Sequence, residues 1–273
     1  MCRVLSVSRS AYYEWHKLKQ KKEFNEKNIQ EKIKKEFKKS KENYGSPRIT
    51  TALKKQGVNV SKSTVYRQMA KIGIAAKKKK KFMNTTDSNH NLEIFPNVLN
   101  RNFDVENISE YWVGDITYIR MNNSWLYLTT VIDLADRMVI GWSLSTDMTT
   151  QNTVLKAFEN AVKRRKPKKD LLFHSDRGVQ YASKAFREII VKNGCRQSMS
   201  RKGNCWDNAV AESFFKTIKV ECIYKYTITN QIQAYSLIFD YIDGWYNTVR
   251  IHSSLDGKSP LEMFKEKLGY IAA

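Results

Sequence analysis

The chain has 273 residues, of which 41% are hydrophobic and 12% aromatic, enough for two or three compact domains with buried cores. No apolar run approaches the ~20 residues that span a bilayer, the sequence opens with no signal-peptide pattern, and its four cysteines form no C-x-x-C pair or regular framework. These features exclude a disulfide-rich secreted scaffold and predict reduced thiols in the cytoplasm.

The whole chain has a formal net charge of +21, and most of this positive charge lies in its first third. Residues 1–81 hold 24 Lys and Arg against 6 Asp and Glu, whereas residues 82–273 hold 24 against 21. Such a polycation gains affinity for phosphate backbones through counterion release, so nucleic acid is the predicted partner. An anionic membrane surface is the alternative, but no amphipathic stretch has the strong aromatic face that it favours.

The first predicted elements are helices. Ser8 is a candidate cap for a short one, and residues 20–41 predict a lysine-rich amphipathic helix with a sparse apolar stripe of Phe24, Ile29, Ile33 and Phe37. The first seventeen residues resemble the tail of another helical unit, so we expect the reading frame to start inside a larger functional unit.

Residues 44–73 predict two short helices around a tight turn. Ser46 and Pro47 are typical of a helix start, Gly57 is typical of a helix end, and Ser61 is a candidate cap for the second helix. In a helix-turn-helix this second helix would enter the major groove. Its DNA-facing residues would be Lys62, Ser63, Thr64 and Arg67. A plain helical hairpin fits the spacing almost as well, and the basic setting favours DNA binding.

A linker is predicted over residues 82–107, after the five-lysine run Lys77–Lys81 that ends the basic region 1–81. Strand candidates rich in Trp, Tyr, Val, Ile and Thr then follow closely on one another. These strands cover residues 111–119, 124–133 and 138–145. Beyond them we predict a helix (149–165), a strand (171–176), a helix (183–193), a strand (196–200) and a helix (208–221). This order predicts an α/β core over residues 108–225, with helices flanking a mixed five-stranded sheet, and a helical tail over 226–273.

Three carboxylates in this core are candidate metal ligands. Asp115 lies in the middle of the first strand, Asp176 ends the fourth where ligand sites of open α/β sheets collect, and Glu212 lies on the polar side of the last core helix. Together they can hold two Mg²⁺ (or Mn²⁺) ions, which would stabilise both oxygens of an in-line phosphoryl displacement. Asp133, at the end of the second strand, competes with Asp176, and position alone does not rank the two.

Several motifs, in order, resemble one known family. They are WVGDITYI at 112–119, HSDRGVQY at 174–181, SMSRKGNCWDNAVAESFFKTIKVE at 198–221 and YN-x-x-R-x-HSSL at 246–255. The chain is similar, over about residues 43–260, to the OrfB-type transposases of the insertion-sequence-3 family. These belong to the retroviral-integrase-like DDE superfamily, so the resemblance implies an RNase H-like integrase core preceded by the helix-turn-helix region.

The resemblance also implies roles for single residues. It makes Asp115, Asp176 and Glu212 the catalytic and metal-binding acids, with the thirty-five-residue gap between the last two that the superfamily favours. Asn208, Lys216 and Lys219 share the helical face of Glu212, where integrase-like enzymes grip the DNA end. Solvated lysines, or lysines that neutralise Glu212, are the alternative.

The function expected from this resemblance is transposition in a bacterial, nucleoid-associated setting. Strand cleavage and strand transfer would act on double-stranded DNA, both element ends and target, within a homo-multimer. The resemblance further implies a frameshift fusion with the product of an upstream frame. Two alternatives stay open: a non-catalytic DNA-binding regulator of that fusion, and an RNase H-like nuclease that cuts without joining.

Overall fold

The structure is a computed structural model that describes residues 2, 4, 7–76 and 92–270. It divides into two compact units, residues 1–79 and 80–273, and each is considered by itself. Within the described residues, every helix is too short or too polar to cross a bilayer.

The first unit consists of three helices that pack on one another: α1 (Arg9–Lys39), α2 (Ser46–Lys55) and α3 (Lys62–Lys71). Ser8 and Ser61 cap α1 and α3 by accepting the backbone N–H groups of Ala11 and Thr64, as predicted. The chain turns after α2 at Gly57, whose φ of +76° lies in the left-handed region. Apolar side chains at helical spacing fill the small core, among them Ile33, Phe37, Ile49, Leu53, Val65 and Met69.

The unit differs from the prediction in α1. The two helices expected before residue 42 form one continuous helix, because the residues between them contain no proline or glycine to break it. The buried stripe also begins later than expected, since Phe24 is 70% exposed. The five-lysine run Lys77–Lys81 lies outside the described residues.

The second unit is built on the predicted five-stranded mixed sheet. Its strands are β1 (Tyr111–Met121), β2 (Ser124–Asp133), β3 (Val139–Ser145), β4 (Leu172–Ser175) and β5 (Arg196–Met199), in the spatial order β3-β2-β1-β4-β5. The first three form an antiparallel meander, β4 pairs with β1 in parallel, and β5 pairs with β4 in parallel. Parallel neighbours need a crossover, and helices supply the connections after β3 and β4.

Six α-helices accompany the sheet in the described part of this unit. They are α4 (Lys156–Arg164), α5 (Val179–Ala182), α6 (Lys184–Lys192), α7 (Ala209–Glu221), α8 (Gln231–Tyr241) and α9 (Pro260–Lys267). The helix predicted from residue 149 begins as a wide π-type turn at Gln151–Leu155. Its continuation α4 lies so close to β3 that a Cβ on Gly141 would stand 2.3 Å from the carbonyl oxygen of Ala157. Only glycine fits this crossing.

Two segments predicted to lie outside the core pack onto it. In the predicted linker, the backbone N–H of Val98 donates to Ser198 Oγ (2.9 Å), and Leu99 is 2% exposed. In the predicted tail, the Asn247 side chain donates to and accepts from the backbone of Val139 (both 3.0 Å). These hydrogen bonds span about a hundred residues of sequence, so local patterns carry no sign of them.

Candidate active site

The two aspartates occupy equivalent positions on adjacent parallel strands. The pairing of β1 with β4 ends at Val113 and His174, and Asp115 and Asp176 each lie two residues beyond that last pair. One oxygen of each carboxylate is fixed locally, since Asp115 Oδ1 accepts the N–H of Ile116 (2.8 Å) and Asp176 Oδ1 accepts the N–H of Gly178 (3.0 Å). The two acids are thus presented together at the carboxyl edge of the sheet, where ligand sites of such folds collect.

Glu212 reaches the same cleft from the first turn of α7, which packs against β1. The apolar side of α7, with Phe214, Phe215 and Ile218, is buried, so Glu212 is left on the exposed side. The cleft has a volume of about 580 Å³, and all three carboxylates line it. The structure therefore brings together the three acids that the sequence singled out.

The electrostatics of the cleft favour a cation. Burial, followed by the charges of Asp176 and Glu212, raises the pKa of Asp115 well above its ordinary value. Burial and Asp176 also raise the pKa of Glu212. Carboxylates that repel one another at the end of a sheet destabilise the folded protein. A positive ion bound among them would offset this repulsion.

Asp133, the competing acid, lies in an internal ion pair and does not line the cleft. Its side chain is fully buried and accepts from Arg165 (2.7 Å), from the backbone N–H groups of Ser109 (2.8 Å) and Ala135 (3.0 Å), and from the indole of Trp112 (3.3 Å). Arg165 also pairs with Asp136 at 2.8 Å. Asp133 has the partners of a structural carboxylate.

The three polar residues predicted to share a DNA-binding face with Glu212 differ in exposure, although Asn208 and Lys216 both line the cleft. Lys216 is exposed and lines the cleft. Asn208 is 4% exposed and donates through Nδ2 to the carbonyl oxygen of Gly114 (3.1 Å). Lys219 is 7% exposed, and burial lowers its pKa to about 8 against the raising effect of Asp115. Asn208 and Lys219 are thus buried whereas Lys216 is exposed, and contact of the three with DNA stays a prediction.

The residues predicted to face DNA in the first unit lie at the start of α3. Lys62, Ser63 and Arg67 are exposed, and Thr64 is half-buried. The hydroxyls of Ser63 and Thr64 each hydrogen-bond Ser61 Oγ at 2.9 Å, so they belong to the cap of the helix. The opposite side of α3 buries Val65 and Met69, which leaves the predicted face open.

Sequence reasoning missed the residue that holds the lip of the cleft. Asp207 is fully buried and accepts three N–H groups of Arg201 (2.8–3.0 Å) together with Arg101 Nε and Asn97 Nδ2 (both 2.8 Å). The arginines hold the pKa of Asp207 well below its usual range. The signal in the sequence is its place within the motif at 198–221, directly after Trp206.

His174 is a packed strand histidine between two serines. Its Nδ1 lies 2.9 Å from Ser198 Oγ and its Nε2 lies 3.2 Å from Ser200 Oγ. Burial lowers its pKa to about 4, while the charge of Asp207 acts in the opposite direction. The ring is therefore neutral in the folded protein at physiological pH.

This neutral ring predicts acid sensitivity. The imidazole of His174 takes up a proton near pH 6.5 in the unfolded chain and near pH 4 in the folded one. The stability that the neutral ring contributes is therefore intact above pH 6.5 and is lost as the pH falls toward 4. We expect urea unfolding to show that, between pH 7 and pH 4, the free energy of unfolding of the wild type decreases by about 3 kcal/mol more than that of His174→Gln. Parallel pH profiles would contradict a buried neutral His174.

Three family models match the chain. An HTH-like domain matches residues 23–82, and two integrase core domain models match residues 108–205 and 193–260. The core matches together cover the sheet and the carboxylate cleft.

Two relatives are similar along nearly the whole chain. The insertion element IS600 uncharacterized 31 kDa protein of Shigella sonnei is 38% identical over 275 residues, which cover 100% of both chains. Transposase InsF for insertion sequence IS3A of Escherichia coli K12 is 39% identical over 272 residues, which cover 98% of this chain and 93% of that protein.

Solved integrases are similar at low identity. The HTLV-2 integrase catalytic core domain in complex with magnesium is 18% identical with a TM-score of 0.44, over 57% of this chain and 96% of that one. A chain of the simian T-cell lymphotropic virus intasome in complex with PP2A regulatory subunit B56 gamma is 15% identical with a TM-score of 0.49, over 81% and 70% of the two chains.

Proposed function

This chain belongs to the OrfB-type transposases of the insertion-sequence-3 family, and on that premise we propose that its cleft cleaves and transfers DNA strands of an insertion element through Asp115, Asp176 and Glu212. It is a DDE transposase, a polynucleotidyl transferase whose integrase core follows a DNA-binding HTH-like domain. The observation that carries the proposal is the meeting of the three acids in one cleft.

The donor chemistry of the cleft fits Mg²⁺ or Mn²⁺, since all three proposed ligands are carboxylate oxygens. Within the described residues, no three Asp, Glu, His or Cys side chains already stand in position to hold one ion. We therefore expect the three carboxylates to draw together when the cation binds. Once bound, a pair of such ions would supply Lewis-acid stabilisation to the attacking and leaving oxygens of the phosphodiester.

The other lining residues suit a DNA backbone. Lys202 and Lys216 are exposed at the cleft, as is the Arg201 side chain that Asp207 anchors. Arg and Lys at such a rim bind phosphates, and the indole of Trp206, 69% exposed, offers a surface on which an unpaired base stacks. Lys219 lies behind Asp115 and offsets part of its negative charge.

The proposed reaction has two steps. Water first cleaves one phosphodiester at the element end and leaves a free 3′-hydroxyl, which then attacks a phosphodiester of the target. In each step one P–O bond forms as another breaks, so the joining step needs no ATP. Because two element ends must be joined together, we expect at least two such clefts in a multimer on DNA.

The test uses a labelled element-end duplex, a target duplex and Mg²⁺. We expect both cleaved ends and joined products. Cleaved ends without joined product would indicate a nuclease. Binding without either product would indicate a regulator, and adding the product of the upstream frame would then show whether activity needs the fusion.

A further inference from the structure

Asn208 joins the start of α7 to the strand that carries Asp115. Its side chain is 4% exposed and lines the carboxylate cleft, and its Nδ2 donates to the carbonyl oxygen of Gly114 at 3.1 Å. Gly114 is the residue before Asp115 in β1, and Asn208 lies about one helical turn before Glu212. A single hydrogen bond therefore connects the two elements that carry the first and the third acid.

The side chain of Asn208 does not act as asparagine ordinarily does at the start of a helix. Such a side chain usually accepts a backbone N–H of the first turn, as at the start of α8, where Asn230 Oδ1 accepts the N–H of Gln233 at 2.8 Å. Asn208 caps no N–H of α7, and its Oδ1 is buried without a hydrogen-bond partner among the described residues. A buried oxygen without a partner destabilises a protein, so helix capping does not explain this residue.

The partner of the carboxamide fixes its orientation. A backbone carbonyl only accepts hydrogen bonds, so the group that faces Gly114 is the NH₂ of Asn208, and Oδ1 is turned away from that carbonyl. The donor of the side chain is thus the part that holds α7 on β1.

The backbone on both sides of this hydrogen bond is held in place. Asp207, the residue before Asn208, is fully buried and accepts Nε of Arg201 at 2.8 Å. Gly114 is confined as well, since a Cβ there would stand 2.6 Å from Phe173 Cζ. We therefore expect the carboxylates to close on a cation by rotation of their side chains, with the start of α7 staying on β1.

We propose that Asn208 is a positioning residue that, by holding α7 on β1, sets the place of Glu212 relative to Asp115 before a divalent cation binds. The inference rests on the proposed function, because it takes these acids as metal ligands. Ligands of a working site are held within about 0.5 Å by supporting hydrogen bonds, and loss of a supporting partner commonly weakens metal binding about 10–100-fold. Unlike a contact of Asn208 with DNA, this role acts on metal binding when no DNA is present.

Asn208→Ser tests the proposal, because serine is well accepted at helix starts but is too short to reach Gly114. The readouts are the melting temperature without metal and its rise on titration with Mg²⁺ in the absence of DNA. We expect the metal-free melting temperature to change by no more than a few degrees, and the half-saturating Mg²⁺ concentration to increase about tenfold. Cleavage of the element-end duplex should require correspondingly more Mg²⁺.

Asn230→Ser is the matched control, since it makes the same change at another helix start. Asn230 is exposed and does not line the cleft, so this variant should keep the wild-type Mg²⁺ response. Asn208→Ala also fails to reach Gly114 and should melt below Asn208→Ser, because alanine is a poor residue at a helix start. Both variants of Asn208 should nevertheless show the same increase in the half-saturating Mg²⁺ concentration.

Three results would overturn the proposal. Asn208→Ser could bind Mg²⁺ as the wild type does. The Mg²⁺ response of the two Asn208 variants could follow their melting temperatures, which would indicate a merely structural role. A band-shift assay could show weaker DNA binding by Asn208→Ser at an unchanged Mg²⁺ response, which would make Asn208 a DNA contact instead.

Asp176→Asn separates this failure from failure of the proposed function. If the wild type shows a Mg²⁺-dependent rise that Asp176→Asn abolishes, the metal site stands, and the response of Asn208→Ser decides the present inference alone. If the wild type shows no such rise, or Asp176→Asn retains it, the metal site and the role of Asn208 are both overturned.

Discussion

Glu212→Gln is expected to abolish strand cleavage and strand transfer while the protein stays folded and bound to DNA. The substitution keeps the shape of the side chain but removes the negative charge that the proposed cation requires. Glu212 lies on the exposed side of α7 and is repelled by Asp176, so its neutralisation should not destabilise the fold. We expect a loss of about 10³-fold or more in the single-turnover rate, which corresponds to about 4 kcal/mol of transition-state stabilisation.

The measurement is Mg²⁺-dependent cleavage and joining of labelled element-end DNA, with a band-shift assay for binding. Glu188→Gln is the matched control, because Glu188 is an exposed glutamate on α6 that does not line the cleft. Joining by Glu212→Gln at more than a tenth of the wild-type rate would rule out the proposed trio.

Asp133→Asn is expected to act on stability rather than on chemistry. Asp133 and Asp136 share the buried Arg165, and burial together with the charge of Asp133 raises the pKa of Asp136 to about 6. Asparagine would remove one of the two charges that compensate the guanidinium and place an amide where four donors converge. We expect a loss of about 3 kcal/mol in the free energy of unfolding, with cleavage per folded molecule unchanged.

Urea unfolding and the cleavage assay, carried out on the same preparation, distinguish the two outcomes. Asp240→Asn is the control, since it makes the same change at an exposed position of α8. Loss of cleavage at unchanged stability would make Asp133 a catalytic acid, which is the alternative that its position in the sequence leaves open.

The fold could be predicted largely because its signals are local. The alternation of β-branched and aromatic residues predicts β1, β2 and β3 close to their observed bounds. Helix caps such as Ser61 and Ser183 lie where the sequence predicts helix starts. The prediction was wrong about α1, where two expected helices are one, and it missed the π-type turn before α4. In α1 and in the segment before α4 the neighbouring residues all favour helix, so local propensity alone does not define where each helix begins or which helical form it takes.

The candidate site was predicted less completely. Motif order and spacing single out Asp115, Asp176 and Glu212, which lie in one cleft as expected, and their catalytic role stays a prediction. Helical periodicity places Asn208, Lys216 and Lys219 on one face, but it does not say how far the helix is turned toward the sheet. In the folded protein Lys216 is exposed, whereas Asn208 and Lys219 are buried.

By itself, then, the amino-acid sequence determined the order of strands and helices and the basic first unit, because these depend on residue type and spacing along the chain. Its motifs single out the three acids as a prediction, through their resemblance to a known family. Only the tertiary structure decided that Asp133 forms a buried ion pair with Arg165, and that Lys219 is buried while Lys216 stays exposed. These outcomes depend on desolvation and on partners more than thirty residues away, and such partners meet only when the sheet and its helices are packed.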